Sequence, residues 1–313
     1  MKKEEFFIDS RDNVTKLHAL RWTPDSGNVV AVVQIVHGMS EHVERYEKLA
    51  KFLTDMNMVV TGEDHLGHGK SVPENGIWGY FCEQDPATVV VRDVHRLKKV
   101  TQEMYPGVPY FILGHSLGAF ILRNYMCRYG TGIDGAIIMG SGVQPAGLLS
   151  NAKLIAKMVK LLKGSKQTSP LLQKLAFGSY NKRVDNPETE WDWLSCDKEE
   201  VAAYIADEDC GFGFTVNGFQ TMFELIAGAQ KKENLEKVPD ELPILVVSGT
   251  QDPVGGYGEG VKKMHRLLED AGLQDVTLKL YEGSRHELLN ETNRMQVMED
   301  IANWVTKHLA IQV

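Results

Sequence analysis

The sequence predicts an α/β fold: a mostly parallel sheet with helices on both faces and a helical insertion. Three observations carry this. Continuous apolar runs recur (AVVQIV, PYFIL, GAIIM, PILVV), and such runs suit strands buried on both faces. Helical stretches alternate with them, as layered α/β chains require. One strand-to-helix junction reads GHSLG, a serine between two glycines at a point where the chain must turn sharply.

Taken in chain order, β-rich runs predict strands over Phe6–Asp9, Leu17–Trp22 and Val29–Val36. A helix is expected over Glu44–Asp55, then a strand over Met58–Glu63 and a helix over Val89–Met104. PYFIL gives the strand Tyr110–Leu113, and LGAFILRNYMCRYG gives the helix Leu117–Arg128, closing on Gly130. A strand over Gly135–Met139 follows. The alternation resumes with Ile244–Ser248, a helix over Gly260–Ala271, the strand Val276–Tyr281 and a last helix over Thr292–Leu309.

Between residues 143 and 240 the alternation stops. LLSNAKLIAKMVKLLKG places Leu148, Ala152, Ile155, Val159 and Leu162 at helical spacing, with Lys153, Lys157, Lys160 and Lys163 interleaved. ETEWDWLSCDKEE follows, aromatic and acidic. A core formed by residues 1–142 and 241–313, with 143–240 inserted as a helical lid, is the simplest account. The basic helix packs its apolar stripe on the core in one reading. In another it lids an apolar cavity and touches lipid aggregates transiently.

Composition narrows the function. The 313 residues are 43% hydrophobic and 24% charged, with a net charge of −8, which fits a globular chain and disfavours nucleic-acid binding. No apolar run reaches membrane-span or secretory length, so a cytoplasmic location is expected. Cys82, Cys127, Cys196 and Cys210 are scattered and form no CxxC, which suits reduced thiols. Cys196 and Cys210 fall in one region.

GHSLG, Gly114 to Gly118, matches a nucleophile elbow. A serine hydroxyl is a poor nucleophile until a base takes its proton, and the base needs an orienting carboxylate. Downstream, SGTQDPVGG supplies Asp252 after one late strand and GSRHELLN supplies His286 after the last. Both sit at strand carboxyl ends, where open α/β sheets present their chemistry. Ser116 is thus the expected nucleophile, His286 the base and Asp252 its orienter; Arg285 and Glu287 are expected to shape the histidine's loop. His37–Gly38–Met39 leaves the third strand, so the Met39 and Leu117 N–H groups are the expected oxyanion donors. Gly38, His115, Leu148, Leu149, Phe212 and Phe214 are expected to contact substrate.

The stretches HGMSEHVERYEKLAKFL, GEDHLGHGKS, GHSLGAF, SGTQDPVG and GSRHELLNE, spread over about residues 30–307, resemble the monoacylglycerol lipase and lysophospholipase group of the α/β-hydrolase superfamily, also called serine aminopeptidase-like hydrolases. The resemblance implies an eight-stranded sheet, a helical lid, a Ser–Asp–His triad, a lipid or other small ester substrate and no cofactor. The family's elbow often reads GHSMGG; here Ala119 ends it.

Rival readings are weaker. His37, His42, His65, His68 and Asp64 are metal-ligand types, but HExxH is absent and no metal is expected. No GxGxxG follows the first strands, against a dinucleotide fold. A small-ester carboxylesterase, a thioesterase or an aminopeptidase would use the same triad; the last would want acids in the insertion, where Glu188, Glu190, Asp192, Glu199 and Glu200 are candidates. A non-catalytic binding protein on the same fold is the alternative of a different class.

Overall fold

The computed structural model describes residues 1–309. The strands are β1 (Lys2–Asp9), β2 (Lys16–Thr23), β3 (Ala31–Val36), β4 (Met58–Glu63), β5 (Tyr110–His115), β6 (Gly135–Met139), β7 (Ile244–Gly249) and β8 (Val276–Tyr281). Around them lie α1 (Glu47–Asp55), α2 (Pro86–Met104), α3 (Leu117–Tyr129), α4 (Ala146–Lys163), α5 (Pro170–Phe177), α6 (Lys198–Ala206), α7 (Val216–Ala229), α8 (Lys232–Leu235), α9 (Glu259–Asp270) and α10 (Arg294–Leu309).

All eight strands form one sheet in the order β1-β2-β4-β3-β5-β6-β7-β8. β1 and β2 pair antiparallel, as do β2 and β4; every other pairing is parallel. β3, β5, β6 and β7 are buried along their whole length, which is why their sequences read as unbroken apolar runs. The period-2 pleat divides these residues between two cores. Val32, Ile112, Ile138 and Val246 pack with residues of α2, α3, α7 and α9. Val33, Phe111, Ile137 and Val247 pack with residues of α1 and α10. The fold class expected from the sequence is the one observed.

The chain runs from β3 outward to β4, then returns to the other side of β3 to lay down β5. That reversal opens a crevice at the carboxyl ends of β3 and β5, the usual ligand position in such sheets. The loops after these two strands carry Gly38–Met39 and Ser116.

The segment between β6 and β7 contains α4 to α8 and no sheet strand. Helix α4 differs from its expected packing. Leu149, Ala156 and Val159 are buried with Ala152 and Ile155 half-buried, so the inward stripe begins one residue later than the spacing suggested. Leu162 is 83% exposed and Leu148 62%. With Leu154, Met158 and Leu161 also exposed, α4 carries a second apolar row on its outer side, beside the exposed lysines.

Candidate active site

Ser116 is fixed by the geometry of its turn. It stands between β5 and α3 at φ 54°, ψ −115°, a conformation unfavourable for a residue with a Cβ. Its N–H donates to the Met139 carbonyl at 3.0 Å, tying the turn to β6. Gly118 is needed for close approach: a Cβ there would lie 1.9 Å from the Val36 carbonyl oxygen. A Cβ on Gly114 would lie 2.4 Å from the Gly118 carbonyl oxygen. The two glycines therefore press strand, elbow and helix together.

The loop after β7 holds Asp252, and the loop after β8 holds His286. Their side chains meet at 2.9 Å, Nδ1 to Oδ1. Asp252 is fully buried and also accepts the Ser248 hydroxyl at 2.9 Å and the Val254 N–H at 2.8 Å. Burial pushes its carboxyl up, but His286 and those hydrogen bonds outweigh it and hold the pKa below the usual aspartate value. An ionised acceptor fixes the imidazole with its proton on Nδ1 and leaves Nε2 as the basic nitrogen.

Ser116 and His286 face one cavity of about 380 Å³, which Gly38, Met39, His115 and Leu117 also line. Leu117 opens α3, so its N–H has no carbonyl to bond within the helix. Of the residues expected to contact substrate, Leu148 and Leu149 line the cavity and Phe212 and Phe214 do not. These two phenylalanines pack edge-on against His68, with ring centroids at 5.1 and 5.3 Å. Phe214 is fully buried in the core beside Phe81 and Phe219. Phe212 and Phe214 were expected at the cavity as apolar residues of the insertion, but apolarity does not separate a cavity wall from a packed core.

The walls come largely from residues not among those expected to contact substrate. Met222, Phe223 and Ile226 of α7 and Ile155 of α4 form one apolar side. Tyr180, Trp191, Trp193 and Tyr204 form another, and the Trp193 ring lies 5.0 Å from that of His286. This aromatic wall is fastened to the histidine's loop. Arg285 donates to the carbonyls of Asp192 and Ser195 at 2.7 and 2.9 Å, and the Glu287 N–H donates to Leu194 at 2.7 Å. Arg285 thus ties the histidine's loop to residues 192–195.

Beneath the site lies a charge network that sequence reading missed. The Glu41 carboxylate accepts the Gly38 N–H at 2.5 Å, the Tyr46 hydroxyl at 2.9 Å and His115 Nδ1 at 3.1 Å. Arg45 bridges Glu41 and Glu287, at 2.7 Å to each. His115 Nε2 approaches the His286 carbonyl at 3.3 Å. Burial works against charging His115, but the Glu41 hydrogen bond and charge prevail and raise its pKa. Burial likewise raises Glu41, yet His115 and Arg45 hold its carboxyl well below the usual range. The Arg45 guanidinium therefore meets two carboxylates, and His115 hydrogen-bonds one of them, in a buried quartet linking the Gly38 loop to the histidine loop. The one available signal was Glu41 three residues after Gly38.

The remaining histidines have structural partners. His37 donates through Nδ1 to the Gly38 carbonyl at 2.8 Å and accepts the His65 N–H at 3.0 Å. His65 Nε2 donates back to the His37 carbonyl at 3.1 Å, and His68 Nδ1 donates to Leu66 at 3.0 Å. The three rings cluster within 4.0–6.0 Å of one another. Asp64 instead binds His18 at 2.7 Å and the Val43 N–H at 2.8 Å, bracing the Gly38 loop from behind. His42 leaves this group altogether and bonds Asp207. All four cysteines are free thiols.

A family model described as serine aminopeptidase, S33, matches residues 27–293. Mouse monoglyceride lipase is 31% identical over 92% of this chain and 86% of its own length. The monoacylglycerol lipase of Mycolicibacterium smegmatis is 30% identical over 92% of each chain. Among solved structures, a thermostable carboxyl esterase from Bacillus coagulans, in complex with glycerol, superposes with a TM-score of 0.92 at 31% identity over 99% of each chain.

Proposed function

The chain belongs to the serine aminopeptidase S33 family and is an ester hydrolase, and from that premise we propose that it cleaves monoacylglycerols or lysophospholipids. The observation that carries the proposal is the strained Ser116, facing an apolar cavity of about 380 Å³ opposite the His286–Asp252 pair. Cavities of this size and lining suit an acyl chain better than a charged substrate.

In the proposed reaction Ser116 Oγ attacks the ester carbonyl while His286 Nε2 takes its proton. Asp252 holds the imidazole and stabilises its protonated form. The Met39 and Leu117 N–H groups receive the developing oxyanion, which two fixed donors stabilise more than bulk water would. His286 returns the proton to the departing alcohol. Water, deprotonated by the same histidine, then hydrolyses the acyl-enzyme and frees Ser116. Residues 143–240 act as the lid, and their α4 outer face, with Leu154, Met158, Leu161 and Leu162, touches lipid aggregates while substrate enters. Among the described residues no helix is long and apolar enough to cross a membrane. A cytoplasmic location is part of the same proposal.

An aminopeptidase would need a free carboxylate to meet the substrate's ammonium. The two acids lining the cavity, Glu41 and Glu287, are occupied by Arg45 and His115, and Glu188, Glu190, Asp192, Glu199 and Glu200 lie outside it. Hydrolysis of a chain-length series of monoacylglycerols, beside p-nitrophenyl esters and an aminoacyl anilide, tests the reading. Monoacylglycerol turnover that vanishes in Ser116→Ala supports it. Fast cleavage of short p-nitrophenyl esters alone would make the enzyme a small-ester carboxylesterase, and cleavage of the anilide alone a peptidase.

A further inference from the structure

Three residues past Met39, the chain meets the segment between β6 and β7 at a cluster with no part in the proposed hydrolysis. His42 Nε2 lies 2.8 Å from Asp207 Oδ2. With Cys210 Sγ, these atoms all fall within 4.8 Å of one another. We propose that His42, Asp207 and Cys210 form a site for a thiophilic divalent cation of the Zn²⁺ class.

The donor set suits such an ion: one imidazole nitrogen, one carboxylate oxygen and one sulfur, a mixture favoured by borderline-soft metals over Mg²⁺ or Ca²⁺. The spacing suits it too. Metal–ligand bonds of about 2.0–2.3 Å place tetrahedral ligand atoms roughly 3.3–3.8 Å apart. His42 Nε2 and Asp207 Oδ2 stand 2.8 Å apart and no pair in the set exceeds 4.8 Å, so the three donors lie close to that spacing. Three protein ligands leave the fourth position to water, and the side chains are open enough to admit it: His42 is 12% exposed and Asp207 34%.

The frame around the ligands is held independently of any ion. The Gly211 N–H and the Tyr204 hydroxyl both donate to the Ser40 carbonyl, at 3.0 Å each. The Ser40 hydroxyl donates to the Phe212 carbonyl at 2.7 Å. The other oxygen of Asp207 accepts the Asp209 N–H at 2.9 Å, which fixes the carboxylate's orientation. Asp207, Glu208 and Asp209 bring three acids to the turn, a field that favours a cation. Binding releases the Cys210 thiol proton, and the His42 Nε2 proton gives way to the metal as the ring takes its Nδ1–H form. The bound ion then ties the residues 207–212 turn to the loop that carries Gly38 and Met39.

The test uses the whole chain, stripped with chelator under reductant. Zn²⁺ is titrated in competition with a chromogenic chelator, and the thermal midpoint is read with and without the metal. One equivalent is expected to bind and to raise the midpoint. Binding weakens at least about tenfold in both His42→Ala and Cys210→Ser, as loss of one of three ligands requires. Cys196→Ser and His286→Ala retain it. Equal Zn²⁺ affinity in wild type and Cys210→Ser, or no stoichiometric binding by wild type, overturns the site. Co²⁺ loaded into wild type provides a readout that needs no variant to fold: thiolate-to-cobalt charge-transfer absorption is expected, and its absence at one bound equivalent also overturns the site.

Discussion

Glu41 and Glu287 hold the same guanidinium: Arg45 reaches each at 2.7 Å, although the two acids come from loops after β3 and β8. Glu41 also fixes the Gly38 N–H, and Glu287 is the neighbour of His286. One buried cation therefore sets the spacing between the loop expected to receive the oxyanion and the loop expected to supply the base.

Glu41→Gln keeps the shape but removes one anion from the quartet. The Gly38 loop loosens while the apolar walls of the cavity stay in place, so kcat falls and KM changes less. The expected fall is about 10²-fold, comparable to losing one oxyanion donor. Breaking a buried pair also costs roughly 3–5 kcal/mol of stability. Steady-state kinetics and urea unfolding of the variant check both; an unchanged kcat would remove Glu41 from any positioning role.

Ser116→Ala abolishes turnover by several orders of magnitude without unfolding the chain. Ser116→Gly makes a sharper contrast. At φ 54° glycine is relieved of the strain that serine and alanine both carry. Backbone strain at such positions costs on the order of 1–3 kcal/mol. The glycine variant is thus expected to melt above the alanine variant, with both inactive. Paired thermal scans decide it.

Acid unfolding should be steep. His65 and His68 are buried neutral, and burial, with mutual repulsion for His65, pushes their pKa values down to about 3 and about 4. In the unfolded chain they titrate near 6.5, so between pH 6.5 and 4 the unfolded state binds more protons. Stability therefore falls as pH falls through that window. Each histidine contributes up to about 1.4 kcal/mol per pH unit. Urea unfolding at pH 7, 6 and 5 measures the slope, and His68→Leu should flatten it.

Leu161→Glu with Leu162→Glu changes the exposed row of α4, two residues that are 80% and 83% exposed. Hydrolysis of monoacylglycerol in vesicles is expected to drop several-fold, whereas a water-soluble p-nitrophenyl ester is cleaved at the wild-type rate. Equal loss on both substrates would mean that the helix acts on the cavity and not on the lipid surface.

Much of this architecture was legible in the residues. β4, β6 and β8 begin and end where the apolar runs do, and the elbow follows from two glycines whose spacing leaves no room for a Cβ. Asp252 and His286 were singled out because each follows a strand, and their side chains meet at 2.9 Å. What stayed illegible depends on side chains meeting from distant segments. His42 and Asp207 lie 165 residues apart, and Arg45 and Glu287 lie 242 apart. β3 begins at Ala31 and not at Val29, and the helix expected from Glu44 starts with a 3₁₀ turn over Val43–Tyr46 before α1. Phe212 and Phe214 lie outside the cavity, since an apolar residue of the insertion fits either a wall or a core.

The aromatic wall and α4 are anchored to the body by different means. Residues 192–195 are hydrogen-bonded to the loop of His286, whereas α4 meets its surroundings through a narrow apolar stripe and leaves a second row bare. The stretch from Ala146 to Phe177 is therefore the natural unit for chimeras. Exchanging it for the matching stretch of a relative would redraw one flank of the cavity and leave the charge quartet and the base intact, so new selectivity could be grafted at little cost to turnover.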